Sequence, residues 1–206
     1  MIPHVTISCA VVAHPARTAS ALALTTALDL VGPTICMMDN DNIGAVANHR
    51  RAWRSHDLTK DWCLVVEDDA ILCTDFPTRL DDALFTAPTD VVSLYSGLNY
   101  PTHRVRRAAL ARGEAERNNR DHFILDTMDH AVAIAVRTKL VASLGFHLNT
   151  DDQPTDDAIT TWAQTTGHQV TYTHPSLVDH ADGPTLITHP DGIRRTLPRT
   201  AARFAG

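Results

Sequence analysis

The chain has 206 residues, enough for one medium domain that buries roughly 70% of its unfolded surface without a disulfide or structural-metal staple. At 44% hydrophobic and 20% charged residues it is globular in composition, which excludes a largely disordered or fibrous protein. Lys and Arg number 18 against 24 Asp and Glu, and the net charge of −6 argues against a nucleic-acid coat or a polybasic membrane binder, though it permits a local basic patch.

Residues 5–13 read as a buried strand ended by the His14-Pro15 break. Residues 18–31 have helical spacing and stop at Gly32-Pro33. A second strand over 34–38 closes in the polar tract 39–42, and 43–56 read as a helix. The run 62–66 is a third strand, 75–87 a helix and 91–95 a fourth strand. Strands alternating with helices of this length predict βαβ units, in an α/β Rossmann-like domain whose mostly parallel sheet is flanked by helices. The strands are apolar on both faces, as strands covered from each side must be.

Residues 99–122 change character. They hold Arg104, Arg106, Arg107, Arg112, Arg117 and Arg120 and interrupt the alternation, as a solvated helix and loop or as a basic lid over the site. Order then returns with a strand over 130–136, helices over 138–144 and 155–166, and a strand over 169–173. The domain is expected to end at residue 182. The Pro-, Gly- and Arg-rich tail 183–206 is expected to be irregular or to fold over the site.

Cys9, Cys36, Cys63 and Cys73 form no CxxC pair, and three of them lie in apolar runs, so they read as reduced core thiols. The N-terminal apolar stretch lacks a basic flank and is too short to span a bilayer, and no later run is long enough. A soluble cytoplasmic protein with no membrane partner is expected. Trp53, Trp62 and Trp162 read as packing residues in preference to sugar platforms.

The strongest chemical signal is LVVEDDA at 64–70. Three successive carboxylates at the end of a strand repel one another unless positive charge is held there. In open α/β sheets ligands bind beyond the carboxyl ends of the strands, where this cluster falls. A divalent cation bridging carboxylates to a diphosphate accounts for it, as does a solvated turn with capping aspartates. Asp156-Asp157 opens a later helix, as a helix-stabilising pair or as a catalytic one. His49 has Trp53 at i+4, so packing and substrate contact are both open to it.

Taken in order, IGAVANH at 43–49, VVEDDA at 65–70, SLYSG at 93–97, HAVAIAV at 130–136, PTDDAI at 154–159 and THPSLVDHADGPTLI at 173–187 resemble the GT-A nucleotide-sugar glycosyltransferases. More narrowly, they look like the small lipooligosaccharide-type transferases and related phage and actinobacterial transferase-like proteins. The resemblance spans nearly the whole chain and implies a GT-A domain over residues 1–182. It implies transfer of a sugar from a nucleotide diphosphate sugar of the UDP-glucose type to an acceptor hydroxyl. Glu67-Asp68-Asp69 then takes the place of the DxD element, with Asp69 and His180 on Mn²⁺ or Mg²⁺. Glu67 and Asp68 join His14, Arg17 and Asp39 around the donor. Asp156 or Asp157 becomes the acceptor-activating base, kept ionised by the helix N-terminus. Apart from the resemblance, His49 and the basic-segment residues Arg104, Arg106 and Arg107 are the candidates to face the acceptor. The acceptor itself is either a saccharide or other small hydroxyl compound, or a hydroxymethylated base of phage DNA, which would place the protein in the host cytoplasm. A non-catalytic nucleotide- or metal-binding module and a metal-dependent phosphohydrolase are the alternatives in other classes.

Overall fold

The computed structural model describes residues 4–150, 153–183 and 196–206. Every residue of β1 (Ile7–Ala13) is buried, as its apolar run requires, because helices cover both faces of the sheet it joins. A single 3₁₀ turn (Pro15–Arg17) leads into α1 (Thr18–Leu28), followed by β2 (Thr34–Met38) and α2 (Ala45–Arg54). Next come β3 (Trp62–Glu67), the short β4 (Ala70–Leu72), α3 (Phe76–Thr86), β5 (Val91–Ser93), α4 (Val105–Arg117) and β6 (His122–Leu125). The chain continues through β7 (Ala133–Arg137), α5 (Thr138–Thr150), α6 (Thr155–Thr166), β8 (Val170–Thr173) and β9 (Val178–His180). Gly167 ends α6 at a φ of 75°, a conformation that favours a residue without Cβ.

Among the described residues the central sheet has seven strands in the order β2-β1-β3-β7-β5-β8-β6. Strands β1, β2, β3, β5 and β8 run one way, while β7 and β6 are reversed. The mixed α/β, Rossmann-like architecture is therefore the one the sequence predicts. Alternation along each strand splits the core in two. Cys9, Val11, Leu64 and Val66 face α1 and α3. Ala10, Val12, Cys63 and Val65 join Trp53, Ile159 and Trp162 on the opposite face. The three tryptophans are at most 1% exposed, so all three pack the core. None of the described helices is long and apolar enough to cross a membrane.

The boundaries differ where tertiary pairing decides them. The strand expected over 130–136 begins at Ala133, and α5 runs on to Thr150. Residues 99–122 hold α4, with Ala108 and Ala115 buried in the second core, and lead into the edge strand β6. Strands β4 and β9 have three residues each and pair only with one another, too short for any periodicity to announce.

His56, just after α2, is 8% exposed, with Nδ1 3.1 Å from Ser8 Oγ, and burial pushes its pKa down from 6.5 to about 4. The unfolded chain takes up that proton first, so stability is lost as pH falls from about 6.5 to about 4. The shift corresponds to about 3 kcal/mol. Urea melts across this window should show the loss. His56→Phe should lower the pH slope of stability by up to one proton, about 1.4 kcal/mol per pH unit. An unchanged slope would refute the assignment.

Candidate functional site

The carboxyl ends of β1, β2, β3, β5 and β8 meet at one edge of the sheet, and the acidic triplet closes β3 there. Asp68 is buried and acts as a staple. Its Oδ2 accepts the His14 peptide N–H at 2.7 Å, and its Oδ1 accepts Arg17 Nη1 at 2.9 Å. The same Arg17 nitrogen donates to Asp69 Oδ2 at 2.6 Å. His180, 8% exposed, brings Nε2 to 3.3 Å from that oxygen, because β9 lies beside β4 with Ala70 opposite His180. Glu67 Oε1 lies 3.0 Å from Nε2 of His49 on α2. The positive charge that the triplet calls for is thus supplied in part by the chain itself, through Arg17.

The remaining field is still negative. Burial pushes Glu67 up, but the His49 hydrogen bond and the nearby His180 and His130 outweigh it and hold the carboxyl below its ordinary range. Burial and the charge of Glu67 raise Asp69 against the pull of His180 and Arg17. Asp156, in the first turn of α6, is pushed up to about 7 by burial and by Asp157, with Glu67 adding to the shift. The expectation that the helix N-terminus keeps Asp156 low is therefore reversed, since burial and two like charges outweigh one helix end. Asp157 instead accepts from Arg104 Nη2 at 2.8 Å.

Several residues singled out in the sequence have partners within the chain. Asp39 accepts the N–H groups of Ile43 at 2.8 Å and Gly44 at 2.9 Å, closing the loop after β2. His14 Nδ1 accepts from Ala16 N–H and caps the 3₁₀ turn. His49 is 2% exposed, with its Nε2 turned to Glu67. Arg104 also donates to the Met128 carbonyl at 3.2 Å, Arg107 pairs with Asp126, and Arg106 is exposed. Arg112 donates to Ser96 Oγ at 3.0 Å.

Two site residues escaped the sequence reading. His130 and Tyr95 meet edge-on with ring centroids 4.9 Å apart, and burial lowers His130 to about 4, so it is neutral at pH 7. A Cβ at Gly97 would come within 2.7 Å of the His130 ring, so the glycine of SLYSG makes room for it. Both residues lie in quoted motifs, HAVAIAV and SLYSG, which was the available signal.

Asp69 and His180 have the chemistry of a small divalent-cation site. Asp69 Oδ1 is buried without a hydrogen-bond partner. The 3.3 Å between Oδ2 and Nε2 is close to the roughly 3.0 Å expected of adjacent octahedral ligands at bond lengths near 2.1 Å. The pair would supply two ligands to such an ion. Among the described residues the trio His4, Asp81 and Asp82 also gathers within 4.8 Å, but Asp81 there holds the N–H groups of His4 and Val5.

No protein-family model matches the chain, and no curated protein matches it. Among solved structures, A197 from STIV aligns over 98% of this chain and 97% of its own, at 10% identity and a TM-score of 0.50. A Drosophila β-1,4-galactosyltransferase 7 mutant in complex with manganese, UDP-Gal and xylobiose aligns over 86% of this chain and 72% of its own, at 12% identity and a TM-score of 0.49. The first of these establishes a shared fold across the whole chain.

Asp156 yields a test independent of any substrate. Its folded pKa of about 7 lies above the ordinary 3.8, so the folded state is penalised increasingly as pH rises from about 4 to about 7. Asp156→Asn should therefore raise stability at pH 8 by a few kcal/mol, up to about 4, and change it little at pH 4. Equal effects in urea melts at the two pH values would show that the carboxyl is not perturbed.

Proposed function

We propose that this edge is the active site of a metal-dependent glycosyltransferase that moves a sugar from a nucleotide diphosphate sugar to an acceptor hydroxyl. The observation that carries the reading is the meeting of Asp69 and His180 at 3.3 Å, with Arg17 on the same carboxylate. These are the residues that the sequence resemblance places at the cation and the donor. A bound Mn²⁺ or Mg²⁺ held by Asp69 and His180 would neutralise charge on a diphosphate leaving group. Arg17, whose guanidinium bridges Asp68 and Asp69, adds positive charge for the same group.

Asp156 has the properties of a general base. Its pKa of about 7 combines a usable fraction of carboxylate at neutral pH with enough basicity to accept a hydroxyl proton. Asp157, beside it, is paired with Arg104 at 2.8 Å. With Asp156 as base, in-line displacement gives inversion at the anomeric carbon. Glu67, oriented by His49, keeps a negative charge that raises both Asp69 and Asp156.

A neutral acceptor such as a saccharide fits the charges better than DNA. Arg104 and Arg107 are paired with Asp157 and Asp126, and Arg112 turns inward to Ser96, so three of the six arginines between 104 and 120 are engaged within the chain, while Arg106, Arg117 and Arg120 are exposed.

The reading is tested with a panel of UDP-sugars, with and without Mn²⁺, followed by thermal shift and by product analysis. A bound donor at about 100 times its dissociation constant adds roughly 2.7 kcal/mol. Asp69→Ala should remove the Mn²⁺-dependent part of that gain. Asp156→Asn should keep donor binding and reduce transfer by a factor of about 10²–10⁴. Binding without transfer to any hydroxyl acceptor would leave a nucleotide-binding module, and release of phosphate products would point to a hydrolase. A steep loss of acceptor binding between about 50 and 200 mM salt would restore DNA as the acceptor.

A further inference from the structure

His180 reaches the site from the least self-sufficient element of the fold. Strands β4 and β9 pair only with each other over three residues, and a two-stranded ribbon is marginal on its own. From its other side β9 is held by the Val178 N–H, which donates to the Leu94 carbonyl at 3.1 Å, and by the C-terminal segment 196–206. Residues 200–202 run antiparallel to the stretch after β5: Leu98 N–H donates to the Thr200 carbonyl at 3.0 Å and Ala202 N–H to the Ser96 carbonyl at 2.9 Å. Further on, Ser176 N–H donates to the Arg203 carbonyl, and Ala205 N–H returns to Ser176. Ala201, Phe204 and Ala205 pack on the first core.

Two tethers from this strap converge on His180. Asp179 Oδ1 accepts the N–H of Ala201 at 2.6 Å and the N–H of His180 at 2.8 Å. Tyr95 Oη donates to the Arg199 carbonyl at 2.5 Å, and its ring centroid lies 6.4 Å from that of His180. Arg199 then closes the loop after β9 through Asp182 at 3.3 Å and the Gly183 carbonyl at 2.5 Å.

We propose that Asp179 is a positioning residue that fastens the C-terminal strap to the backbone of His180 and so sets where the imidazole stands against Asp69. One carboxylate oxygen joins the Ala201 amide of the strap to the His180 amide, between the Ser176 contacts on one side and the Arg199 contacts on the other. Its loss frees both N–H groups at once. The consequence for cation binding rests on the function proposed above, whereas the anchoring itself does not.

The test compares wild type, Asp179→Ala, Asp179→Asn and Asp69→Ala by amide hydrogen exchange read by NMR and by Mn²⁺ binding read by EPR. In Asp179→Ala the His180 and Ala201 amides should exchange about tenfold faster or more, while amides of β1 and β3 keep their protection. Mn²⁺ affinity should fall by about 10–100-fold, the range found for residues that orient metal ligands. Asp179→Asn keeps one acceptor oxygen and should fall between. Asp69→Ala should lose Mn²⁺ without releasing the His180 amide. If Asp179→Ala loses protection throughout the sheet, the Asn variant carries the comparison. Unchanged exchange at His180 overturns the proposal, as does release of that amide with unchanged Mn²⁺ affinity. Failure of wild type to take up Mn²⁺ would instead sink the cation reading, and exchange at His180 and Ala201 would then decide the anchoring alone.

Discussion

The Arg17 guanidinium between Asp68 and Asp69 is the contact on which the rest of the site depends. Three carboxylates end a strand buried on both faces, and removing such charges from water costs several kcal/mol per ion unless they are paired. Arg17 comes from the turn after β1, so the pairing also fastens that turn to β3. Asp69 then passes the connection to β9 through His180, while Asp68 holds the His14 backbone. One cation thus ties together three chain segments that would otherwise be loops at the sheet edge.

That compensation is incomplete. Glu67 stays ionised through His49, and its charge is felt by Asp69 and by Asp156. Such an arrangement is costly in stability and typical of a site built to receive positive charge or to move a proton. The two aspartates of α6 show how environment divides like groups. Asp157 has Arg104 as its ion-pair partner, whereas Asp156 faces burial and two negative neighbours and is poised near neutrality. Adjacent residues of one type in one helical turn acquire different chemical roles because their partners come from different elements.

The same logic extends to the C-terminal strap, whose residues 196–206 carry no motif yet border the site. Tyr95, Asp179 and the backbone of Arg199 form hydrogen bonds that connect the strap to the histidine-bearing strand. The tail was expected to fold over the site, and its described part packs beside it. Arg194 and Arg195, which belong to that tail, lie outside the described residues.

Composition and periodicity determined much by themselves. Apolar runs such as ISCAVVA and WCLVV read as strands covered on both faces, and α6 and β2 begin and end where the pattern says, whereas the helix expected to run to Gly32-Pro33 ends at Leu28. The end of β3 is recognisable as a chemical site because like charges do not gather there without a counter-charge. Strands β4 and β9 were not legible, since three residues carry no period and exist as strands only by pairing. Nor was the source of the counter-charge, because Arg17 and Asp69 lie far apart in sequence and only the β1–β3 register brings them to 2.6 Å. The burial of His49 and the pKa of Asp156 were likewise decided by the tertiary structure. Local sequence sets which groups are present and roughly where the chain turns, but charge, burial and proton affinity depend on neighbours that only folding supplies.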